Sequence, residues 1–262
     1  DFYADARKEQ GDLVVRRVAD GSVQSVLEDS GHKMHMGTFS EDGTRYAAVD
    51  GDFRVRVWDV ASGRLVNRFG GFDGKVAYMW LSEDGRRMAL TTFDSMLHYI
   101  DVDRRQAPGV FRGHTNQVIG VAFSPDGKLL ASGGHDRTVR LWDVAAGREV
   151  RTFSGHTEGI WRVVYNPNGK QVASAGMDRT VRLWDVSSSG SRKPRVIEGH
   201  KAMVSDLDYT PDGKLLASGG NDGTVRIWDT ETGELQRVLE GWKCCASSVA
   251  FHPDGRRLAT IT

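Results

Sequence analysis

A four-residue turn signal recurs six times along the chain: "SEDG" at 40 and 82, "SPDG" at 124, "NPNG" at 166, "TPDG" at 210 and "HPDG" at 252. The intervals are 42, 42, 42, 44 and 42 residues, and the longer one is explained by the insertion "SSSGSRKP" at 187–194. Each signal lies between two short β-prone runs, as in "VIGVAF" before "SPDG" and "KLLASGG" after it. Asp-Gly or Asn-Gly at the end of such a turn supplies a last residue at positive φ, so each signal reads as the turn of a hairpin. Next come "TVRLWDV", which is rich in β-branched residues, the turn "AAGR" and a fourth run, "EVRTFSG". The same order is visible in "RVRVWDVASGRLVNRFG", "TVRLWDVSSSGSRKPRVIEG" and "TVRIWDTETGELQRVLEG", and no stretch carries a helical period of useful length.

The chain is therefore expected to be all-β, built from units of four short antiparallel strands, a to d. A four-stranded unit of about 42 residues cannot bury both faces of its own sheet, whereas stacking units radially lets each sheet cover the next. Full repeats are expected at 33–72, 73–114, 115–156, 157–200 and 201–242, flanked by half units at 1–32 and 243–262. With "GH" ahead of the repeat and "WD" near its end, most clearly at 113–143, 155–185 and 199–229, the sequence resembles the WD-repeat β-propeller family over essentially its whole length. The resemblance implies a single propeller domain. Two arrangements fit the half units: they pair into a sixth shared blade, or the chain is a piece of a larger ring, seven being the usual blade number in the family. "FYADARKEQG" is longer than a b–c turn needs and is a candidate leftover strand b, which, with the absent initiator methionine and the "IT" ending, favours the second arrangement.

Ser, His and Asp recur together, which raises the question of a hydrolase triad. The sets are His114, Ser132, Asp136 and Trp142; His156, Ser174, Asp178 and Trp184; and His200, Ser218, Asp222 and Trp228, always with spacings of 18, 4 and 6 residues. An enzyme needs one site, not three copies. A buried indole N–H needs an acceptor, which a serine hydroxyl supplies. That hydroxyl can donate to one imidazole nitrogen while the other donates to an aspartate that also caps the b–c turn. The sets are expected to be structural tetrads of the kind WD-repeat proteins carry, and no catalytic residue is assigned. The first full repeat keeps His32, Asp52 and Trp58 with Ala48 at the serine place; the second has Phe72, Leu90 and Ile100 and keeps only Asp94; the last partial repeat has Trp242 and Thr260 at the histidine and serine places.

The resemblance also implies two positions per repeat on the top face of the propeller. One series is His35, Ala77, Ile119, Trp161, Ser205 and Ser247, and the other is Gly51, Phe93, His135, Met177 and Asn221. Among these, Phe93, Ile119, His135, Trp161 and Met177 come from successive repeats and are mostly large and apolar, the composition of a partner-binding patch. The function expected is a noncatalytic scaffold for a protein or peptide partner, as the docking or sensor part of a larger multidomain protein. The alternative is a propeller-based enzyme domain with a channel-lining site.

Other chemistries find little support. Lysine plus arginine and aspartate plus glutamate both number 35, and zero net charge supplies no pull toward nucleic acid or an anionic membrane. Arg56, Arg140, Arg182 and Arg226 read as a solvent-side ladder in strand c. His32, His35 and His98 show no metal-ligand spacing, and neither a phosphate-loop nor a dinucleotide-loop motif occurs, so no metal or cofactor is expected. No run of about 18 apolar residues and no secretory leader is visible. The adjacent Cys244 and Cys245 point to opposite sides of an extended chain, which disfavours a disulfide and fits a reducing, cytoplasmic setting. Oligomeric state is not legible.

Overall fold

A computed structural model describes residues 2–6, 13–28, 34–70, 72, 75–104, 107–187, 193–242 and 245–261. The pairing of Cys244 and Cys245, and any role of His32, fall outside these residues. Every regular element described is a β-strand, and the strands fall into two compact units, residues 1–112 and 113–262.

The first unit opens with a three-stranded sheet of β1 (Phe2–Ala6), β2 (Leu13–Arg17) and β3 (Val23–Val26). Two strands were expected at minimum here, and the leftover stretch adds the third: β1 pairs antiparallel with β2 from Phe2↔Arg17 to Ala6↔Leu13. Phe2 and Ala4 pack on a cluster containing Leu13, Val15, Tyr46 and Trp58, which gives the extra strand an apolar reason to stay. Two four-stranded sheets follow. One is β4 (Met34–Phe39), β5 (Arg45–Asp50), β6 (Val55–Asp59) and β7 (Leu65–Phe69); the other is β8 (Val76–Leu81), β9 (Arg87–Thr92), β10 (Leu97–Asp101) and β11 (Gly109–Phe111).

The second unit holds three more four-stranded sheets. They are β12 (Val118–Phe123), β13 (Leu129–Gly134), β14 (Thr138–Asp143) and β15 (Arg148–Ser154); β16 (Ile160–Tyr165), β17 (Gln171–Gly176), β18 (Val181–Asp185) and β19 (Arg195–Ile197); and β20 (Val204–Tyr209), β21 (Leu215–Gly220), β22 (Val225–Asp229) and β23 (Leu235–Leu239). A two-stranded sheet of β24 (Ser248–Phe251) and β25 (Leu258–Ile261) ends the unit. These antiparallel sheets are the blades expected of a β-propeller.

The six turn signals build the a–b hairpins. At the third, the Ser124 hydroxyl donates to Asp126 Oδ1 at 2.8 Å, the same carboxylate accepts the Lys128 amide at 3.0 Å, and Gly127 takes φ 64°. All six turn glycines have φ between 63° and 71°, where a side chain would be strained. Strand b is the most deeply buried element of each full sheet, its last five residues being buried in β5, β9, β13, β17 and β21 alike. Sheets of one unit pack face to face: Ala131, Val139 and Leu141 of one share a cluster with Ile160, Val163 and Val172 of the next, whose Ala173, Val181 and Leu183 meet Val204, Leu207 and Leu216. The β16–β19 and β20–β23 sheets thus each supply half of two cores, which burial of apolar area stabilises.

Candidate functional site

In the second unit the three His–Ser–Asp–Trp sets are hydrogen-bonded chains. The Trp142 indole donates to Ser132 Oγ at 2.8 Å, His114 Nε2 lies 2.7 Å from the same oxygen, and His114 Nδ1 lies 2.8 Å from Asp136 Oδ2. The next sheet repeats this at 2.8, 2.7 and 2.9 Å with Trp184, Ser174, His156 and Asp178, and the third at 2.8, 2.7 and 3.0 Å with Trp228, Ser218, His200 and Asp222. Asp136 also receives the Thr138 amide and hydroxyl and the Thr115 amide, so one carboxylate ties the b–c turn to the loop ahead of strand a.

The electrostatics follow from these contacts. Burial alone would raise the Asp136 and Asp178 carboxyls, but hydrogen bonds from the histidine, the threonine hydroxyl and a backbone amide hold both well below the usual carboxylate range. Asp222 is lowered in the same way, its burial offset by Lys201, Thr224 and His200. Burial pushes His200 down, outweighing the pull of Asp222. A neutral imidazole then donates through Nδ1 to the carboxylate and accepts the serine proton at Nε2. Ser132, Ser174 and Ser218 are each 0% exposed.

Two features of these sets were not read from sequence. The glycine ahead of each histidine is a close-approach point: a Cβ on Gly113, Gly155 or Gly199 would stand 2.8 Å from Nη1 of Arg140, Arg182 or Arg226 and against the tryptophan ring. These arginines are correspondingly not a solvent-side ladder. The Arg140 and Arg182 side chains are largely buried with a nitrogen 3.9 Å from the tetrad carboxylate, and Arg56 is 4% exposed and paired with Asp50 at 3.2 Å. Their strand-c position, four residues after the tetrad aspartate, turns them inward over the carboxylate.

The first unit departs from the tetrad differently in its two full sheets. In the first, the buried carboxylate is Asp50 and not the expected Asp52, which is exposed. Asp50 stands where Gly134, Gly176 and Gly220 stand in the tetrad sheets, and at the last two a side chain would enter the tetrad space: a Cβ on Gly176 would collide with Asp178 and lie 2.5 Å from His156 Nδ1, and one on Gly220 would lie 2.7 Å from Asp222 Oδ1. Asp50 caps its turn through the Asp52 and Arg54 amides. With Ala48 offering no hydroxyl, the Trp58 indole donates to the Glu28 carbonyl at 2.6 Å. In the second sheet Leu90 and Ile100 are buried, Phe72 packs beside them and meets His98 edge-on at 5.2 Å, and Asp94 accepts the Thr92 hydroxyl. In the last hairpin Thr260 donates to the Ser248 carbonyl, and Trp242 packs against its cluster.

The two loop series have a structural signature. Strand a slips register between Met34 and Met36, Val76 and Tyr78, Val118 and Gly120, Ile160 and Arg162, and Val204 and Asp206. The skipped residues are His35, Ala77, Ile119, Trp161 and Ser205, the first loop series, so each is a β-bulge, a device that re-aims a side chain. The outcomes differ. Trp161 is half-buried and His35 exposed, whereas Ile119 is 5% exposed and does not contribute to an open patch. The reason lies beside it: Gly120 allows β16 to close against β12, a Cβ there standing 2.7 Å from the Val163 nitrogen. Ser205 is also buried and donates to the Gly219 and Ala246 carbonyls.

In the second loop series, each of Phe93, His135, Met177 and Asn221 donates its amide to a carbonyl just ahead of a strand a, at 2.8–3.0 Å. His135 and Met177 come together at Gly159, where a Cβ would lie 2.7 Å from His135 Cδ2 and 3.3 Å from Met177 Sδ. The Nε2 atom of His135 is buried and has no hydrogen-bond partner among the described residues. Phe93, in the first unit, is 64% exposed. Of the five expected patch residues, the structure brings His135 and Met177 together, leaves Trp161 half-open on its bulge and withdraws Ile119.

Comparison with known families agrees with this architecture. A family model described as WD domain, G-beta repeat, matches residues 106–143, 147–185, 191–229 and 233–260, together more than half of the chain. The span 147–185 runs from β15 to β18, so sequence repeat and sheet are out of phase by one strand. A search of curated proteins finds no matching relative. The chain belongs to the WD40 repeat family, whose repeats generally mediate protein–protein interaction.

Proposed function

We propose that this chain is a noncatalytic scaffold that binds a protein or peptide through the loop end carrying His135, Trp161 and Met177, as the docking part of a larger protein. The observation that carries the reading is the convergence at Gly159. A thioether, an imidazole with a nitrogen unpartnered among the described residues and, two residues along the chain, a bulged half-open indole belong to adjacent sheets. Aromatic and thioether groups of this kind anchor interfaces. Phe93 offers a separate exposed apolar contact on the first unit.

A hydrolytic role for the Ser–His–Asp sets has the opposite support. Each serine is fully buried and already engaged by an indole and an imidazole, so no substrate carbonyl reaches it.

The test is affinity capture with the full-length protein, wild type against Trp161→Ala/Met177→Ala. The expected result is loss of specific partners, at roughly 2 kcal/mol or more per lost anchor, with the melting temperature held within about 2 °C. An unchanged set of captured partners would remove this site.

A further inference from the structure

Strand β24 has two edges. One pairs with β25, from Ser248↔Ile261 to Phe251↔Leu258. The other faces β20 of the preceding sheet, and there its amides are met by side chains. Asp206 Oδ2 accepts the Val249 amide at 3.0 Å and the Ser248 hydroxyl at 2.8 Å, and Asp208 Oδ2 accepts the Phe251 amide at 2.6 Å. Two carboxylates two residues apart on one strand thus read two amides two residues apart on the other, in step with the strand period. The Ser205 hydroxyl, donating to the Ala246 carbonyl at 2.9 Å, and the Ala246 amide, donating to the Gly220 carbonyl at 3.0 Å, extend the seam.

The other seams of this unit are built differently. Where β12 meets β16, the positions of Asp206 and Asp208 are held by Gly120 and Ala122, which carry no acceptor, and the backbones close directly. Where β16 meets β20, the positions are Arg162 and Val164, and Arg162 Nε lies 2.9 Å from Asp206 Oδ1. Asp206 is therefore a hub: one oxygen faces the guanidinium of the sheet before it, the other an amide and a hydroxyl of the sheet after it.

Among the described residues of its unit, the hairpin is held along this seam and by one apolar cluster. In β21 the last five residues are buried; in β25, the matching strand of the hairpin, no residue is, and Ile261 is 67% exposed. Val249 and Ala246 are buried against Ala217, Val225 and Ile227, with Phe251 and Leu258 partly covered, and this apolar contact is modest beside the cores between full sheets.

We infer that Asp206 and Asp208 form a backbone-amide clamp that docks the β24–β25 hairpin and sets how often it opens as a unit separate from sheets β12–β23. Charge-assisted acceptors make stronger hydrogen bonds than neutral ones. A weakly buried element opens locally at a free energy set by the few contacts that bind it. The clamp concentrates those contacts in two carboxylates.

Hydrogen exchange followed by mass spectrometry on the full chain tests this, with wild type, Asp208→Ala, Asp208→Asn and Asp206→Ala/Asp208→Ala. In Asp208→Ala, amides of 248–261 are expected to exchange about 10-fold faster or more, with those of β12–β18 unchanged. Asp208→Asn, which keeps an acceptor oxygen, is expected to recover most of the protection. If the double variant does not fold, the single variants decide. Unchanged protection of 248–261 in Asp208→Ala, or equal acceleration throughout β12–β23, would overturn the clamp.

Discussion

The Trp58 indole donates to the Glu28 carbonyl, thirty residues upstream and just beyond the neighbouring sheet, where the three tryptophans of the tetrads donate to a serine hydroxyl within their own sheet. Two residues account for the change: Ala48 offers no hydroxyl, and Asp50 fills the space that glycine leaves open for histidine and aspartate elsewhere. Asp50 holds buried Arg56 at 3.2 Å. Asp50→Ala is expected to destabilise the first unit by roughly 3 kcal/mol, the scale of removing one partner of a buried ion pair. Asp52→Ala, on an exposed residue, is expected to cost less than about 0.5 kcal/mol. Urea melts of the two variants separate these outcomes, and equal costs would contradict the assignment.

Gly176 tests the tetrad geometry from the other side. A methyl group there would collide with Asp178 and crowd His156. Gly176→Ala is expected to cost about 2–3 kcal/mol through overpacking and a broken hydrogen bond. Gly147 is the control, since it has φ 65° with nothing within 4 Å, so Gly147→Ala carries only backbone strain of about 1 kcal/mol. Thermal melts should rank the two in that order.

Stability should fall on acidification in two stages. His200 is depressed below its ordinary 6.5, so the unfolded chain takes up a proton near that pH which the folded chain refuses. Its contribution is complete above about pH 6.5 and declines as pH drops toward the folded value, by at most ~1.4 kcal/mol per pH unit. Asp136, Asp178 and Asp222 are depressed below 3.8, so they hold stability above about pH 4 and lose it below. Urea midpoints between pH 8 and pH 3 should therefore be flat, then sloping, then steep. A protein that gains stability from pH 7 to pH 5 would contradict the neutral imidazole.

Much of this architecture was legible because it repeats. A turn signal with a terminal glycine fixes each hairpin, and once the hairpins are in register, spacings of 18, 4 and 6 residues bring histidine, serine, aspartate and tryptophan together. What escaped reading lacks a repeat or depends on packing. Asp52 occupies the tetrad aspartate's place in the spacing, but only the space beside Asp50 reveals which carboxylate is buried. Ile119 and Trp161 hold the same bulge, yet the close approach at Gly120 withdraws one and not the other. The strand-c arginines alternate as solvent residues would, and their inward turn follows from the carboxylate four residues before them. Asp206 and Asp208 occur once, so no periodicity announces them.

The central claim is that the recurring imidazole, hydroxyl, carboxylate and indole groups brace the sheets from within. Differential scanning calorimetry of Ser174→Ala addresses it most directly, because that oxygen joins Trp184 to His156. Bracing requires the melting temperature to drop by at least about 3 °C, as loss of roughly 1–3 kcal/mol would produce. A melting temperature equal to that of the wild type would contradict it.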